Sequence, residues 1–320
     1  MYGGEAADVP ATGHNARTMR AEIQRALRFV AEHLDQPITV ADVARAAHLS
    51  EFHLHRVFHA QVGESVGRFI TRRRLEQAAL RLAYEPAVPV TEIALASGYS
   101  SSSNFSKAFA AYFGCSPSRV RAPTGELVPA VGKLSARFVP EDLFALLPEE
   151  DLAARQRVAN DWNQRVRFVD ADALHFACLA SPGGYDFEVL QATWAELIAR
   201  AVQLGLTRDD DVDAWGMAHD SPDLTAPERC QYHACVPCPV GTALAAPLFA
   251  GVRRAGRYAV FHYQGPVAGV AEAYRSIYSC WFRESSLVPD DYVPLDHHIG
   301  NHPKDGQVEI ELWLRVRAAV

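Results

Sequence analysis

"SGYSSSSNFSKAFAAYFGCSPSRVR", residues 97–121, sets four serines, Ser100 to Ser103, just ahead of a phenylalanine ladder at Phe105, Phe109 and Phe113. A serine run ordinarily reads as a loop or a flexible linker. Phenylalanines four apart share one helix face, so the ladder predicts a packed helix from about Ser102 to Phe113. Gly114 follows in the C-cap position, and Ser100 or Ser101 is placed to cap the start. The serines then form the turn and the first turn of a helix.

Upstream, "VTEIALA" gives a short helix over 91–97 and Gly98 a turn, so the pair is a helix-turn-helix candidate. The same order occurs earlier in the chain. A helix over Thr18–Leu34, with Ile23, Leu27, Val30 and Leu34 on its apolar face, is broken at Pro37. Thr39 can cap a short helix packed through Val43, Ala44 and Ala47, with Asp42 as a weak capping-box echo. Ser50 can cap the next, whose apolar positions are Leu54, Val57 and Phe58. Between the two units a longer helix runs over roughly 65–84, its stripe being Phe69, Ile70, Leu75, Ala78, Ala79 and Leu82. Arg72, Arg73 and Arg74 are expected on or beside its exposed face.

At 320 residues the chain has room for about two domains. No apolar run approaches the roughly 20 residues that span a bilayer. Residues 1–17 lack the apolar core of a signal peptide and read as a disordered tail. The six cysteines are too scattered for a disulfide framework and suit a reducing cytoplasm. The net charge of −7 hides an asymmetry. Residues 18–122 hold 13 Lys+Arg against 9 Asp+Glu, whereas 123–320 hold 17 against 27. A basic module joined to an acidic one puts nucleic acid against the first half only.

"VADVARAAHLSEFHLHRVFHAQVGESVGRFITRRRLEQAALRL" and "VTEIALASGYSSSSNFSKAFAAYFGCSPSRVR" resemble the DNA-binding domain of the AraC/XylS transcription regulators, over roughly residues 20–121. The aromatic–Gly–x–Ser–Pro–x–x–x–Arg run is among that family's most specific marks. His48 departs from it, standing where the family's first turn usually carries glycine. The resemblance implies two helix-turn-helix units entering successive major grooves on one DNA face, about 34–36 Å apart. By position the base-facing residues are Phe52, His55 and Arg56 in the first unit. In the second they are Ser102, Ser103, Ser106 and Lys107, with Asn104 beside them. Arg56 can hold guanine O6 and N7 with two bonds, whereas a serine hydroxyl discriminates little. The second helix is therefore expected to read loosely, or to hold phosphates.

Residues 123–163 read as a partly helical linker, with a helix from about Glu149 to Asn160. In the second half a strand–helix–strand–strand order occurs twice. The first copy runs through "HFACLASPGG", "FEVLQATWAELIARAVQLGL", "VDAWGMAHD" and "CQYHACVPC". The second runs through "GRYAVFHYQGP", "VAGVAEAYRSIYSCWFRES", "YVPLDHHIG" and "VEIELWLRV". Duplication implies a pseudo-two-fold α+β domain with a cleft where the halves meet. The segments "WGMAHDSPDLTAPERCQYHACV", "GRYAVFHYQGPVAGVAEAYRSIYSCWF" and "NHPKDGQVEIELWLRV" resemble the GyrI-like ligand-binding domain found fused to AraC-type regulators. That resemblance covers about 164–320 and implies a cleft for hydrophobic or cationic small molecules, sometimes with a buried acidic residue. Here the acidic position falls on Asp296 or His297, depending on a one-residue shift. Tyr185, Trp215, Tyr258, Trp281, Tyr292 and Trp313 are the expected aromatic lining. Glu309 and Glu311 share a strand face and could line the cleft or meet solvent.

The expectation is a multidomain chain: an all-α double helix-turn-helix domain over 18–122, followed by an α+β GyrI-like domain with duplicated units over 164–320. It is a regulator that binds double-stranded DNA at a bipartite promoter site, senses a small effector, and engages RNA polymerase. No cofactor is expected. A metal site at Cys230, His233, Cys235 and Cys238 is disfavoured because Cys230 and Cys235 would point to opposite faces of one strand, and zinc needs convergent ligands. The remaining alternatives are a hydrolase, with Glu309 or Glu311 flanked by Trp313 and Trp281, and a protein-interaction module that takes no ligand.

Overall fold

A computed structural model describes residues 12–85, 87–120, 152–182, 185–220, 225, 230–291, 293–299 and 306–319. Helix α1 (Thr12–Glu32) begins inside the stretch expected to be a tail, Pro10 being the last proline ahead of it. It packs on α2 (Val40–Ala47) and α3 (Glu51–Val62). Thr39 and Asp42 form a complete capping box, and Ser50 caps α3. The turn between α2 and α3 places His48 at φ 57°, the left-handed region that favours glycine. The departure at His48 therefore carries backbone strain.

Helix α4 (Val66–Tyr84) starts under the Ser65 cap and is buried on three sides. Val66, Phe69 and Ile70 join the core of the first unit with Val57 and Phe58. Leu75, Ala78, Ala79 and Leu82 join the second, with Ile93, Phe105 and Phe109. The third side corrects the expectation for the arginines: Arg72 and Arg73 are only 6% and 7% exposed, because the second half of the chain covers them. Arg74 is tied down differently, donating to the carbonyls of Leu34 and Gln36. Its guanidinium lies 2.8 Å from where a Cβ on Gly98 would stand, so that turn needs glycine for space as well as for its φ of +75°. The second unit is α5 (Val90–Ala96) and α6 (Ser102–Phe113), the latter capped by Ser101 and closed by Gly114, with α7 (Pro117–Val120) after it.

Helix α8 (Leu152–Arg165) continues past the expected end at Asn160 and packs Trp162 edge-on against Phe261, in one core with the strands that follow. Those strands are β1 (Val166–Ala171), β2 (Leu174–Ala180), β3 (Ala214–Ala218), β4 (Tyr232–Pro237), β5 (Phe249–Arg253), β6 (Gly256–Pro266), β7 (Leu287–Pro289), β8 (Leu295–His298) and β9 (Gln307–Ala318). They form one sheet in the order β1-β6-β9-β8-β3-β4-β2-β5, with β7 on β9. Helix α9 (Phe187–Gln203) follows β2. Helix α10 (Val270–Ser276) follows β6 and runs on through a π-turn at Ile277–Trp281 and a last turn at Phe282–Glu284.

The order is symmetric about the β3/β8 seam, so the duplicated units are β2-α9-β3-β4 and β6-α10-β8-β9. Each unit is preceded by a strand that pairs with the other unit: β1 lies on β6, and β5 on β2. The sequence reading missed β5 and β7, which are only five and three residues long, and took β8 as longer than its four residues. Such segments are too short to establish a period. Helices α8, α9 and α10 pack on one face of the sheet, and the opposite face is sealed by Phe176, Trp215, Met217, Tyr258, Leu295 and Trp313.

Candidate DNA reader and effector cleft

Because α3 buries Leu54, Val57 and Phe58, it turns Phe52, His55 and Arg56 outward. Phe52 is 79% exposed. On α6 the inward phenylalanines leave Ser103, Asn104 and Lys107 exposed, with Ser102 and Ser106 half-buried. Asn104 is partly engaged: its backbone N–H donates to Ser101 Oγ, and its side-chain amide to Ser100 Oγ at 3.4 Å. Two serines thus shape the turn, while three face outward beside one lysine.

The second site lies on the seam, on the helix side of the sheet. Asp296 on β8 points that way, is 8% exposed, and accepts a 2.5 Å hydrogen bond from the Tyr274 hydroxyl on α10. Burial raises its pKa to about 6, with the Tyr274 bond pulling the other way. No basic group pairs with it among the described residues. Its partner across the seam is Gly216, where a Cβ would stand 1.9 Å from the Tyr232 hydroxyl. Glycine there lets the Tyr232 ring lie over the seam. Tyr185 and Trp194 meet Tyr232 edge-on at 6.1 and 6.4 Å, and Trp194 meets His298 at 5.1 Å.

Both repeats therefore build the cleft: Tyr185, Trp194 and Tyr232 come from the first, Tyr274, Asp296 and His298 from the second. Burial pushes all three tyrosine hydroxyls upward, so they stay protonated and able to donate. Tyr185, Trp194, Tyr274 and His298 are half-buried. A buried carboxyl ringed by aromatic faces suits an organic cation or a hydrogen-bonding apolar molecule.

The opposite face carries a separate arrangement. His297 stacks on Trp215 at 4.1 Å and 11°, with Nε2 2.9 Å from Asp213 and Nδ1 3.4 Å from Glu311. Glu311 also accepts from Arg167 at 2.6 Å and from Trp313 Nε1 at 3.1 Å. Burial would raise the Glu311 pKa, but the bonds from Arg167, His297 and Trp313 outweigh it and hold the carboxyl below its ordinary range. The Arg253 guanidinium lies 5.2, 5.9 and 5.0 Å from the rings of Trp215, Tyr258 and Trp313. This aromatic box is filled by the chain's own cation.

The expected lining is thus divided. Tyr185 and Asp296 meet in the seam cleft, whereas Trp215, Tyr258, His297, Glu311 and Trp313 line the other face. Side chains alternate along a strand, so Asp296 and His297 cannot serve one site. Trp281 belongs to neither, packing on Phe261 at 4.9 Å and donating to Asn163. Tyr292 lies outside the described residues. Glu309 shares the face of Glu311 but sits further out, against His262. Sequence reading missed Trp194, Tyr232 and Tyr274, whose spacing is indistinguishable from core. Gly216 next to Trp215 was the available signal, since a strand-interior glycine marks a close approach. The six cysteines form no disulfide with one another, and no metal-binding cluster occurs among the described residues.

Comparison with known proteins bears on both sites. A helix-turn-helix domain family matches residues 43–123, and a GyrI-like small molecule binding domain family matches residues 164–317. The regulatory protein SoxS of Salmonella typhimurium is 34% identical over 99 residues, 31% of this chain and 92% of SoxS. The chain belongs to the AraC/XylS family. The transcriptional regulator Rob of the same organism is 35% identical over 135 residues, 41% of this chain and 46% of Rob, so less than half of Rob is spanned. Among solved structures, the C-terminal domain of AraT, a response regulator from Geobacillus stearothermophilus, aligns at 32% identity over 31% of this chain and 83% of that one, with a TM-score of 0.30. This AraC/XylS member is a DNA-binding transcription regulator with a GyrI-like small-molecule-binding domain behind its reader. Among the described residues no helix is long and apolar enough to cross a membrane.

Proposed function

We propose that the chain is a one-component cytoplasmic regulator whose effector is an organic cation with an aromatic or apolar body, bound at Asp296. One observation carries this reading: a carboxyl 8% exposed, surrounded by Tyr185, Tyr232, Tyr274 and Trp194, with no basic partner among the described residues. Burying a carboxylate costs free energy unless a counter-charge is supplied, and a ligand cation would supply it. On the DNA side, α3 reads one half-site through Arg56, His55 and Phe52. The serine face of α6, with Lys107, holds the next groove more loosely. RNA polymerase is the partner through which the bound regulator acts.

Catalysis is not part of the reading. Glu311 is already occupied by Arg167, His297 and Trp313, and Trp281 stands on the other side of the sheet. The test is calorimetric titration of tetraphenylphosphonium, a lipophilic cation, into the wild type and Asp296→Asn at neutral pH. The expected result is binding by the wild type and a loss of about tenfold or more in the variant, about 1.4 kcal/mol. Equal binding by the two proteins would sink the assignment.

A further inference from the structure

A buried charge cluster joins the two domains. Five ionisable side chains meet where α4 faces the segment after β3. Arg72 Nε donates to Glu64 at 2.8 Å, and Arg72 Nη1 to Glu76 at 3.1 Å. Arg72 Nη1 also lies 3.5 Å from Asp220 of the effector domain, and Arg73 Nη1 bonds to the same Asp220 oxygen. Thr225 donates to Glu76 at 2.9 Å from the effector-domain side, and Tyr112 at 3.1 Å from α6. The Asp220 side chain is 0% exposed and those of the two arginines 7% and 8%. Burial works against the Arg72 charge, but Glu76, Asp220 and Glu64 outweigh it and keep the guanidinium charged.

Without Asp220 the reader's own groups balance, two arginines against Glu64 and Glu76. The effector domain therefore adds the odd charge, and it adds a link. The Asp220 carbonyl accepts the hydroxyl of Tyr185, a wall of the Asp296 cleft, while its carboxylate accepts the Gln231 N–H at 2.8 Å, next to Tyr232. One residue thus touches the spacer helix of the reader and the framework of the cleft. Arg72 Nη2 is buried without a partner among the described residues, so the closed arrangement leaves one donor unsatisfied.

We infer that Asp220 and Thr225 form a clasp by which the effector domain restrains the reader, and that Tyr185 makes the clasp responsive to occupancy of the cleft. This rests on the cleft reading for its trigger, though not for the clasp itself. Closed, the clasp adds a buried carboxylate beside Arg72 and Arg73 and holds a domain with 20 acidic against 13 basic residues (164–320) beside the reader, which opposes phosphate. Displacement of Tyr185 by a ligand loosens Asp220 and opens it. The effect is a population shift, bounded by the ligand's preference for the open state.

The experiment measures affinity for a selected DNA site at fixed salt, using the full chain, Asp220→Asn and Tyr185→Phe, with and without tetraphenylphosphonium. Probe binding is followed separately by calorimetry, and thermal unfolding checks that each variant is folded. Asp220→Asn is expected to raise DNA affinity by between about 5- and 150-fold, the usual span of coupling between sites. The probe should bring the wild type toward the same value and leave Asp220→Asn unmoved, although that variant still binds it. Tyr185→Phe, compared with the wild type at equal probe occupancy fixed by calorimetry, should show a smaller DNA response. Unchanged or lowered DNA affinity in folded Asp220→Asn overturns the clasp, whatever the probe does. If the wild type takes up no probe, the cleft reading fails while the clasp is still judged on Asp220→Asn alone. Probe binding with no DNA response in the wild type overturns the link through Tyr185.

Discussion

Asp296 concentrates opposing demands in one carboxyl. Its pKa of about 6 lies above the ordinary 3.8, so between these values the folded chain holds a proton that the unfolded chain has released. Stability should accordingly fall as pH rises from about 4 to about 6, by on the order of 2–3 kcal/mol at 1.36 per unit. Asp296→Asn should remove this slope in urea titrations across the window and leave the domain more stable at neutral pH, while weakening cation binding about tenfold or more. A loss of both stability and binding would mean the carboxylate is structural. Tetraphenylphosphonium affinity in the wild type should weaken about tenfold per pH unit below about 6, because only the anion attracts it. Arg253 makes a contrasting case. Arg253→Ala should cost about 1–2 kcal/mol of lost cation–π contact. It should also open the Trp215–Tyr258–Trp313 box, so that the same probe now quenches tryptophan emission through it.

The helices were largely legible in the sequence because their signals are local. Ser101 and Gly114 bracket α6, and Ser50, Ser65 and the Thr39–Asp42 pair mark three further starts. Ser101→Ala should remove one cap and cost about 1 kcal/mol, read by urea denaturation. The DNA block contacted by α6 should weaken with it. At the other turn, His48→Gly should stabilise by about 0.5–1 kcal/mol, since glycine adopts φ 57° without the Cβ clash. An unchanged unfolding midpoint in that variant would show the turn to be relaxed as it stands. Strands were less legible. β6 and β9 are 11 and 12 residues long and declare themselves, but "FAGVR" and "LVP" become strands only because β2 and β9 offer an edge.

At the scale of the whole molecule, α4 belongs to two cores and a buried charge cluster, and only the covering domain takes its arginines out of solvent. Arg72→Met should cost about 3–5 kcal/mol in the full chain, because Glu64, Glu76 and Asp220 would be left buried with too little counter-charge. A cost below about 1 kcal/mol would show that these carboxylates are not held buried around Arg72. A second ionic tie runs between the halves, from Arg317 on β9 to Glu85 at the end of α4. The sequence by itself determined the two reading helices, their caps, the charge asymmetry and the duplication behind the pseudo-two-fold sheet. All of these rest on spacing within tens of residues and on hydrophobic period. Tertiary structure alone decided that β1 and β5 cross to the other unit and that Trp215, Tyr258 and Trp313 enclose Arg253. It likewise decided that Asp296 shares its cleft with Tyr274 and Tyr232, and that Arg73 meets a carboxylate 147 residues away. Those contacts depend on which face a strand presents and which surface covers a helix, and no local period encodes either.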